Sequence, residues 1–224
     1  MCGRFTLVAG PSEIETSFPW IEIPKQMTPR YNIAPMQPIA VIPNNGRNRL
    51  EFFQWGLVPP WAKDPQVGNR LINARAESLA EKPAFRNAFR RRRCLILADG
   101  FYEWRREPRP GSRASTPIYI RLKSGKPFAF AGLWEIWRSA DGASLFSCAI
   151  ITTPPNELIE EIHDRMPAVL RPEAYTMWLD PMIQTPETLS ELLKPYPASE
   201  MEAYPVSTLV NNPKNDLPAC ILPA

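Results

Sequence analysis

The sequence is short of several features that would assign a function class at once. There is one histidine, His163, in 224 residues. Zinc sites draw on paired histidines or on cysteines at C-x₂₋₄-C spacing. The four cysteines, Cys2, Cys94, Cys148 and Cys220, stand far apart. No structural metal and no other cofactor is therefore expected. The same scatter offers no disulfide framework, so a reduced, cytoplasmic protein is expected, nucleoid-associated if bacterial. No apolar run approaches the ~18 residues of a membrane span, and no membrane partner is expected. Arg4 is not followed by an apolar stretch with a cleavage site, so a secretory signal is not expected either. Glycine is scarce as well, at 10 residues.

Proline is what the chain has in quantity. Its 27 prolines are roughly twice the ordinary usage of about 5%, and they are spread along the whole length. They predict short elements joined by stiff loops, with few long helices. Hydrophobic residues at 44% and charged residues at 22% suit a globular chain with a substantial core. The net charge of +3 is unevenly placed. Residues 1–113 hold 18 Lys and Arg against 10 Asp and Glu, and residues 114–224 hold 8 against 13. Arginine dominates the basic half, including the run Arg90-Arg91-Arg92-Arg93. Its planar fork suits phosphate, and a basic half points towards nucleic acid. A solvated helix end would explain the run equally well, and the sequence leaves both open.

Patterning predicts a strand over 5–8 and a helix over 12–18, opened by Ser12 and Glu15 at capping-box spacing. Strands are expected at 38–42 and 50–57, joined through Asn44-Asn45-Gly46. Ser78 and Glu81 repeat the capping-box spacing before a helix or helix pair over about 79–91, interrupted near Pro83, with Arg90 to Arg93 in its last turn. A buried strand at 94–98 leads to a bulge or tight bend at Gly100. Residues 105–115 read as a basic hairpin tip. Strands follow at 117–122, 127–134 and 145–152, then a short helix within 154–162 and a brief strand at 168–170. Helices are expected at 172–179 and at 186–193, the latter capped by Thr185. There is no repeat and no linker. The expectation is one α+β domain over 1–224, with mixed and antiparallel strands forming a barrel-like core and short helices at its periphery.

The chemistry starts at Met1-Cys2-Gly3-Arg4. If Met1 is removed, Cys2 carries a free α-amine and a thiol on adjacent carbons, with reference pKa values of about 7.7–8.0 and 8.5. Such a 1,2-aminothiol traps aldehydes: the amine forms a Schiff base and the thiol closes a thiazolidine; an incidental cysteine in a frayed terminus is the alternative. Glu103 sits between Tyr102 and Trp104, where desolvation would raise its pKa and suit acid–base work. An outward-facing strand carboxylate is the alternative. His163 is the natural proton shuttle, or a helix-terminal histidine bonding free carbonyls. Asn73 and Arg75, two apart on a strand, share one face. Pro35, after Asn32, and Trp61, after Pro59-Pro60, form stiff apolar tips suited to stacking on or wedging unpaired bases, or to ordinary loop packing.

Taken in order, six segments resemble the SOS-response-associated peptidase (SRAP) family. They are MCGRF at 1–5, RYNIAP at 30–35, W-G-x-x-P-x-W at 55–61, INARAE at 72–77, ADGFYEW at 98–104 and IHDRMP at 162–167. The likeness continues through Tyr204-Pro205-Val206-Ser207 to Asn215-Asp216. The resemblance implies recognition of abasic sites in single-stranded DNA, including at junctions with duplex, by a monomer. It implies a covalent DNA–protein crosslink through Cys2 as the mature amino terminus, with lyase activity by β-elimination and removal of Met1 as the peptidase step. By position, Asn73 would orient aldehyde and amine, Glu103 would handle proton transfers, and His163 would assist sugar opening and reversal. Arg4, Arg75 and Arg165 would grip phosphates, with Asn32, Pro35 and Trp61 beside the DNA. Two other readings stay open on the residues alone. One is an N-terminal-nucleophile thiol hydrolase acting on amides, and the other a non-catalytic reader of modified or single-stranded DNA.

Overall fold

Five strands close into a ring at the centre of the molecule. The computed structural model describes residues 2–106 and 115–224. In chain order the elements are β1 (Phe5–Leu7), α1 (Pro11–Ser17), β2 (Arg30–Ile33), β3 (Pro38–Pro43), β4 (Glu51–Trp55), β5 (Asn73–Arg75) and α2 (Arg86–Arg91). They continue with β6 (Arg93–Ala98), β7 (Gly100–Arg106), β8 (Ser115–Leu122), β9 (Phe128–Arg138), β10 (Ser144–Thr153), α3 (Glu157–Glu160), β11 (Met166–Pro167) and β12 (Val169–Leu170). The chain ends with α4 (Tyr175–Leu179), α5 (Pro186–Ser190) and β13 (Met201–Pro205).

The ring runs β10-β4-β3-β6-β9 and back to β10. It is antiparallel except where β4 meets β10 in parallel. β5 and β11 extend β10, and β12 extends β9. A second, antiparallel sheet has the order β13-β8-β7-β1-β2. Phe5 of β1 seats it on the barrel, with its ring 5.2 Å from Trp55 and 5.8 Å from Phe130. Phe101 of β7 adds a second edge contact to Phe130 at 6.0 Å. One apolar cluster therefore runs from Cys2 through the barrel to Met201. The barrel-like α+β core expected from the sequence is the one observed.

β6 is apolar after its first residue and buried at every position. α2 and α4 cover it. The Trp178 indole donates to Cys94 O at 2.9 Å, and Arg93 Nε donates to Trp178 O at 2.6 Å. Arg93 has no exposed surface, and its other guanidinium nitrogens donate to the carbonyls of Phe89, Arg90 and Asp180.

Several local expectations are corrected. α1 starts at Pro11 with Gly10 as N-cap, not at Ser12, because proline suits the first helical position. Glu13, not Glu15, closes the cap by accepting from Gly10 N–H at 2.9 Å. Of the helix or helix pair expected over about 79–91, only α2 forms, after the break at Pro83, with a 3-10 turn at Ala76–Ser78 before it. Pro83 lacks an N–H and biases its predecessor out of the helical region. Of the arginine run, Arg92 caps α2 and Arg93 already belongs to β6. α5 ends at Ser190, and Thr185 occupies its N-cap position without a side-chain capping bond. Arg30–Ile33, read only as a motif, is a strand beside β1. Gly100 is required by a close approach, since a Cβ there would lie 2.2 Å from the Tyr119 hydroxyl. Met1 and residues 107–114 of the expected hairpin tip lie outside the described residues.

Candidate active site

The register of β1 on β7 places the amino terminus. Phe5 pairs with Phe101 and Thr6 with Gly100, and Tyr102 N–H donates to Arg4 O at 2.9 Å. Continued by the same count, that register carries residues 2–4 along 102–104. Asp99 anchors the far end of β1: its carboxylate accepts from Thr6 Oγ1, Val8 N–H and Ala9 N–H. From the other side, β5 lies parallel to β10 with Asn73 opposite Ile150. Asn73 Nδ2 then donates to Cys2 O at 2.8 Å.

Cys2 is fully buried there, and Glu103 is 3% exposed. His163, following α3, brings Nε2 to 3.9 Å from Glu103 Oε2. Cys2, Asn73, Glu103 and His163, spread over 162 residues of sequence, thus meet in one place. The buried alternative for Glu103 holds, not the outward-facing one. Burial pushes its carboxyl up to about 7, so near neutral pH it is divided between acid and base. Burial, and then the charge of Glu103, raise the Cys2 thiol above the ordinary thiol range. The thiol in this packing is protonated at neutral pH, so sulfur chemistry requires a neighbouring proton acceptor. Burial lowers the pKa of His163, keeping the imidazole neutral. Its Nδ1 lies 3.1 Å from Arg165 N–H and 2.8 Å from Asp164 Oδ1. The first contact needs a bare Nδ1 and the second a protonated one, so they belong to two proton placements of one ring.

The arginines differ in freedom. Arg75 is exposed at the end of β5, and Ala74 between it and Asn73 is buried, as the shared face requires. Arg165 is already engaged: Glu77 takes its Nη1 and Nη2 at 2.6 and 3.0 Å, and Thr152 O accepts from Nη2 at 2.6 Å. Arg4 Nη1 donates to Asn32 Oδ1 and Val210 O, both at 2.7 Å, and its guanidinium lies 5.8 Å from the Trp104 ring. Asn32 is fully buried. Its Nδ2 is within reach of the carbonyls of Val210, Asn212 and Asn215. Asn32 therefore shows no surface to a ligand; it holds Arg4 and the C-terminal segment. Trp61 is 64% exposed and Pro35 half-buried. Neither hydrogen bonds nor ion pairs join them to Cys2 among the described residues.

Among the buried side-chain polar atoms without a hydrogen-bond partner are Arg4 Nε, Asn73 Oδ1 and Arg165 Nε. All three belong to residues singled out from the sequence. Beside His163 opens a groove of about 670 Å³, lined by Trp104, Arg105, Arg106, Pro155, Glu160 and Asp164 among others. Among the described residues, no cluster of His, Cys, Asp and Glu has the makings of a metal site. Four contributors escaped the sequence reading: Glu77, Thr152, Trp104 in its role under Arg4, and Asp216. Asp216 accepts from the Tyr31 and Asn32 amides and pairs with Arg30 at 2.5 Å. Glu77 and Asp216 both lie inside quoted segments, but their partners are 88 and 184–186 residues away. No spacing rule reaches that far.

Comparison with known proteins gives a consistent result. Residues 1–213 match the profile described as SOS response associated peptidase (SRAP). The chain is 50% identical over 225 residues to the abasic site processing protein YoqW of Bacillus subtilis, covering 99% of both chains. It is 33% identical over 196 residues to the abasic site processing protein HMCES of Xenopus tropicalis, covering 77% of this chain and 56% of that one. A crystal structure of a protein from Bacteroides thetaiotaomicron superposes with a TM-score of 0.88 at 26% identity, over the whole of both chains. No helix among the described residues is long and apolar enough to cross a membrane.

Proposed function

This chain belongs to the SOS response associated peptidase (SRAP) family, and from that premise we propose that it processes abasic sites in DNA by trapping the lesion's aldehyde on Cys2. The coarse part of this reading, action on abasic sites, rests on the names of its relatives. The finer part rests on the site. The observation that carries it is the 2.8 Å bond from Asn73 Nδ2 to Cys2 O. It fixes in place the one residue that can present an amine and a thiol together.

The steps follow from the groups present. Removal of Met1 frees the Cys2 α-amine. The amine adds to C1′ of the ring-opened deoxyribose to give a carbinolamine. Water leaves, and a Schiff base forms. The Cys2 sulfur then adds to the imine carbon and gives up its proton, closing the thiazolidine. One water is lost overall. Asn73 Oδ1, buried and unpartnered, is an acceptor for the amine or for the carbinolamine hydroxyl. Glu103, with a pKa of about 7, donates a proton to the departing hydroxyl and accepts one from the thiol. His163, 3.9 Å from Glu103, relays protons to and from the sugar O4′ during ring opening and reversal. At the Schiff-base stage, loss of a C2′ proton would expel the 3′ phosphate, which is the lyase branch. Arg75, exposed at the end of β5, holds a flanking phosphate, and Arg4 and Arg165, fixed by their protein partners, add positive charge, with Pro35 and Trp61 against the bases.

A thiol hydrolase is less well supported, because its nucleophile must be a thiolate and burial here raises the Cys2 thiol. A non-catalytic reader leaves the buried Glu103 and His163 without a role. The test is incubation with single-stranded DNA bearing one abasic site. Wild-type protein gives an adduct that survives heat and denaturant, and Cys2→Ala gives none. Cys2→Ser forms only a Schiff base that borohydride must trap. A stable adduct with Cys2→Ala would refute the proposal.

A further inference from the structure

The arginine run that the site does not use divides in two. Arg92 is bound to Glu135 at 2.5 Å and lies over Trp134, and Arg93 is consumed by four backbone carbonyls. Arg90 and Arg91 are exposed, together with Arg86 and Lys82. Arg86 N–H bonds to Lys82 O at 2.9 Å, so Lys82, Arg86 and Arg90 lie on successive turns. Side chains so spaced are neighbours, about 5–6 Å apart at Cβ. The opposite side of α2 is buried through Ala88 and Phe89. None of Lys82, Arg86, Arg90 and Arg91 forms an ion pair among the described residues. The β3–β4 turn joins them, since Asn44 Nδ2 donates to Arg91 O at 3.2 Å and the turn carries exposed Arg47 and Arg49. Nearby acids are few: Glu81 flanks Lys82 in sequence, Glu51 answers Arg47 and Arg49 at 3.9 and 3.5 Å, and Glu135 is taken by Arg92.

We propose that the exposed face of α2, with Arg86, Arg90 and Arg91 at its centre, is a second phosphate-binding surface for the DNA strand flanking the lesion. The inference rests on the reading of the protein as DNA-processing. The occupant follows from charge complementarity: a row of unpaired guanidiniums on a rigid helix fits a polyanion with regularly spaced charges. α2 runs into β6 at Arg93, and the site stands on other strands, at Asn73 of β5 and Glu103 of β7, so the patch offers phosphate contacts beyond those at Cys2.

The test compares Arg86→Ala/Arg90→Ala/Arg91→Ala with wild type, the Tm confirming that both are folded. Binding to an undamaged single strand of about 25 nucleotides is measured against salt. The triple variant binds more weakly, and the slope of log K against log salt falls by about 2, near 0.7 for each lost phosphate contact. Equal affinity and an equal slope in the two proteins overturn the proposal. These readouts need no crosslink, so failure of the Cys2 chemistry would show separately.

Discussion

An unpaired buried acceptor costs about 1–3 kcal/mol, at least as much as a neutral hydrogen bond returns. Asn73 carries that imbalance: Nδ2 is satisfied by Cys2 O while Oδ1 has no partner. A side chain held this way is better matched to a reaction intermediate than to the resting protein. Glu103 makes a related point through its titration. Its carboxyl moves from 4.5 to about 7 on burial, so the folded state favours the protonated form. The stability this contributes is complete below pH 4.5 and is lost as pH rises through 7. Glu103→Gln should therefore gain on the wild type in Tm between pH 4.5 and 7, with a constant advantage above. A Tm difference that does not change with pH would remove the burial argument. Crosslinking by the wild type should also lose a limb near pH 7 in this variant.

At the scale of elements, the site depends on two strands staying in register. Gly100 begins β7 against the Tyr119 ring. Gly100→Ala should cost about 1–3 kcal/mol through overpacking and slow crosslinking by shifting Glu103, which urea unfolding and a timed adduct assay would measure. The C-terminal segment is a second support, through Asn32. Asn32→Ala takes one of two acceptors from Arg4 Nη1, leaves Asn212 O without the Asn32 amide donor and should lower stability by about 1–3 kcal/mol, with weaker binding to single-stranded DNA. Unchanged DNA affinity in that variant would separate Arg4 from the binding surface. Most strands were legible because their apolar runs are short and bounded by turn residues, as with Cys94 to Ala98. Helix limits were less so. The S-x-x-E pattern at Ser12 and at Ser78 marks a cap only if the flanking prolines permit one, and Pro11 and Pro83 decided otherwise.

For the whole molecule, ring closure was the least legible feature. The parallel contact of β4 with β10 joins residues that no local pattern links, whereas β9 and β10 are a hairpin across the turn at Asp141-Gly142. The proposed catalytic group was more visible, since Cys2, Asn73, Glu103 and His163 each sit in a segment that carries the resemblance to the family. What the sequence could not separate was which arginines are free. Arg93 and Arg165 are spent on protein partners, whereas Arg75, Arg86, Arg90 and Arg91 are exposed. The basic half of the chain therefore overstates the charge offered to DNA, and a salt slope well below its arginine count is expected.

The most direct measurement is the mass of the amino-terminal peptide recovered from the crosslinked complex. The account predicts a peptide that begins at Cys2, lacks Met1 and carries the deoxyribose remnant, with its mass unchanged by borohydride because the thiazolidine holds no imine. A peptide that retains Met1, or an adduct on a lysine, would contradict it.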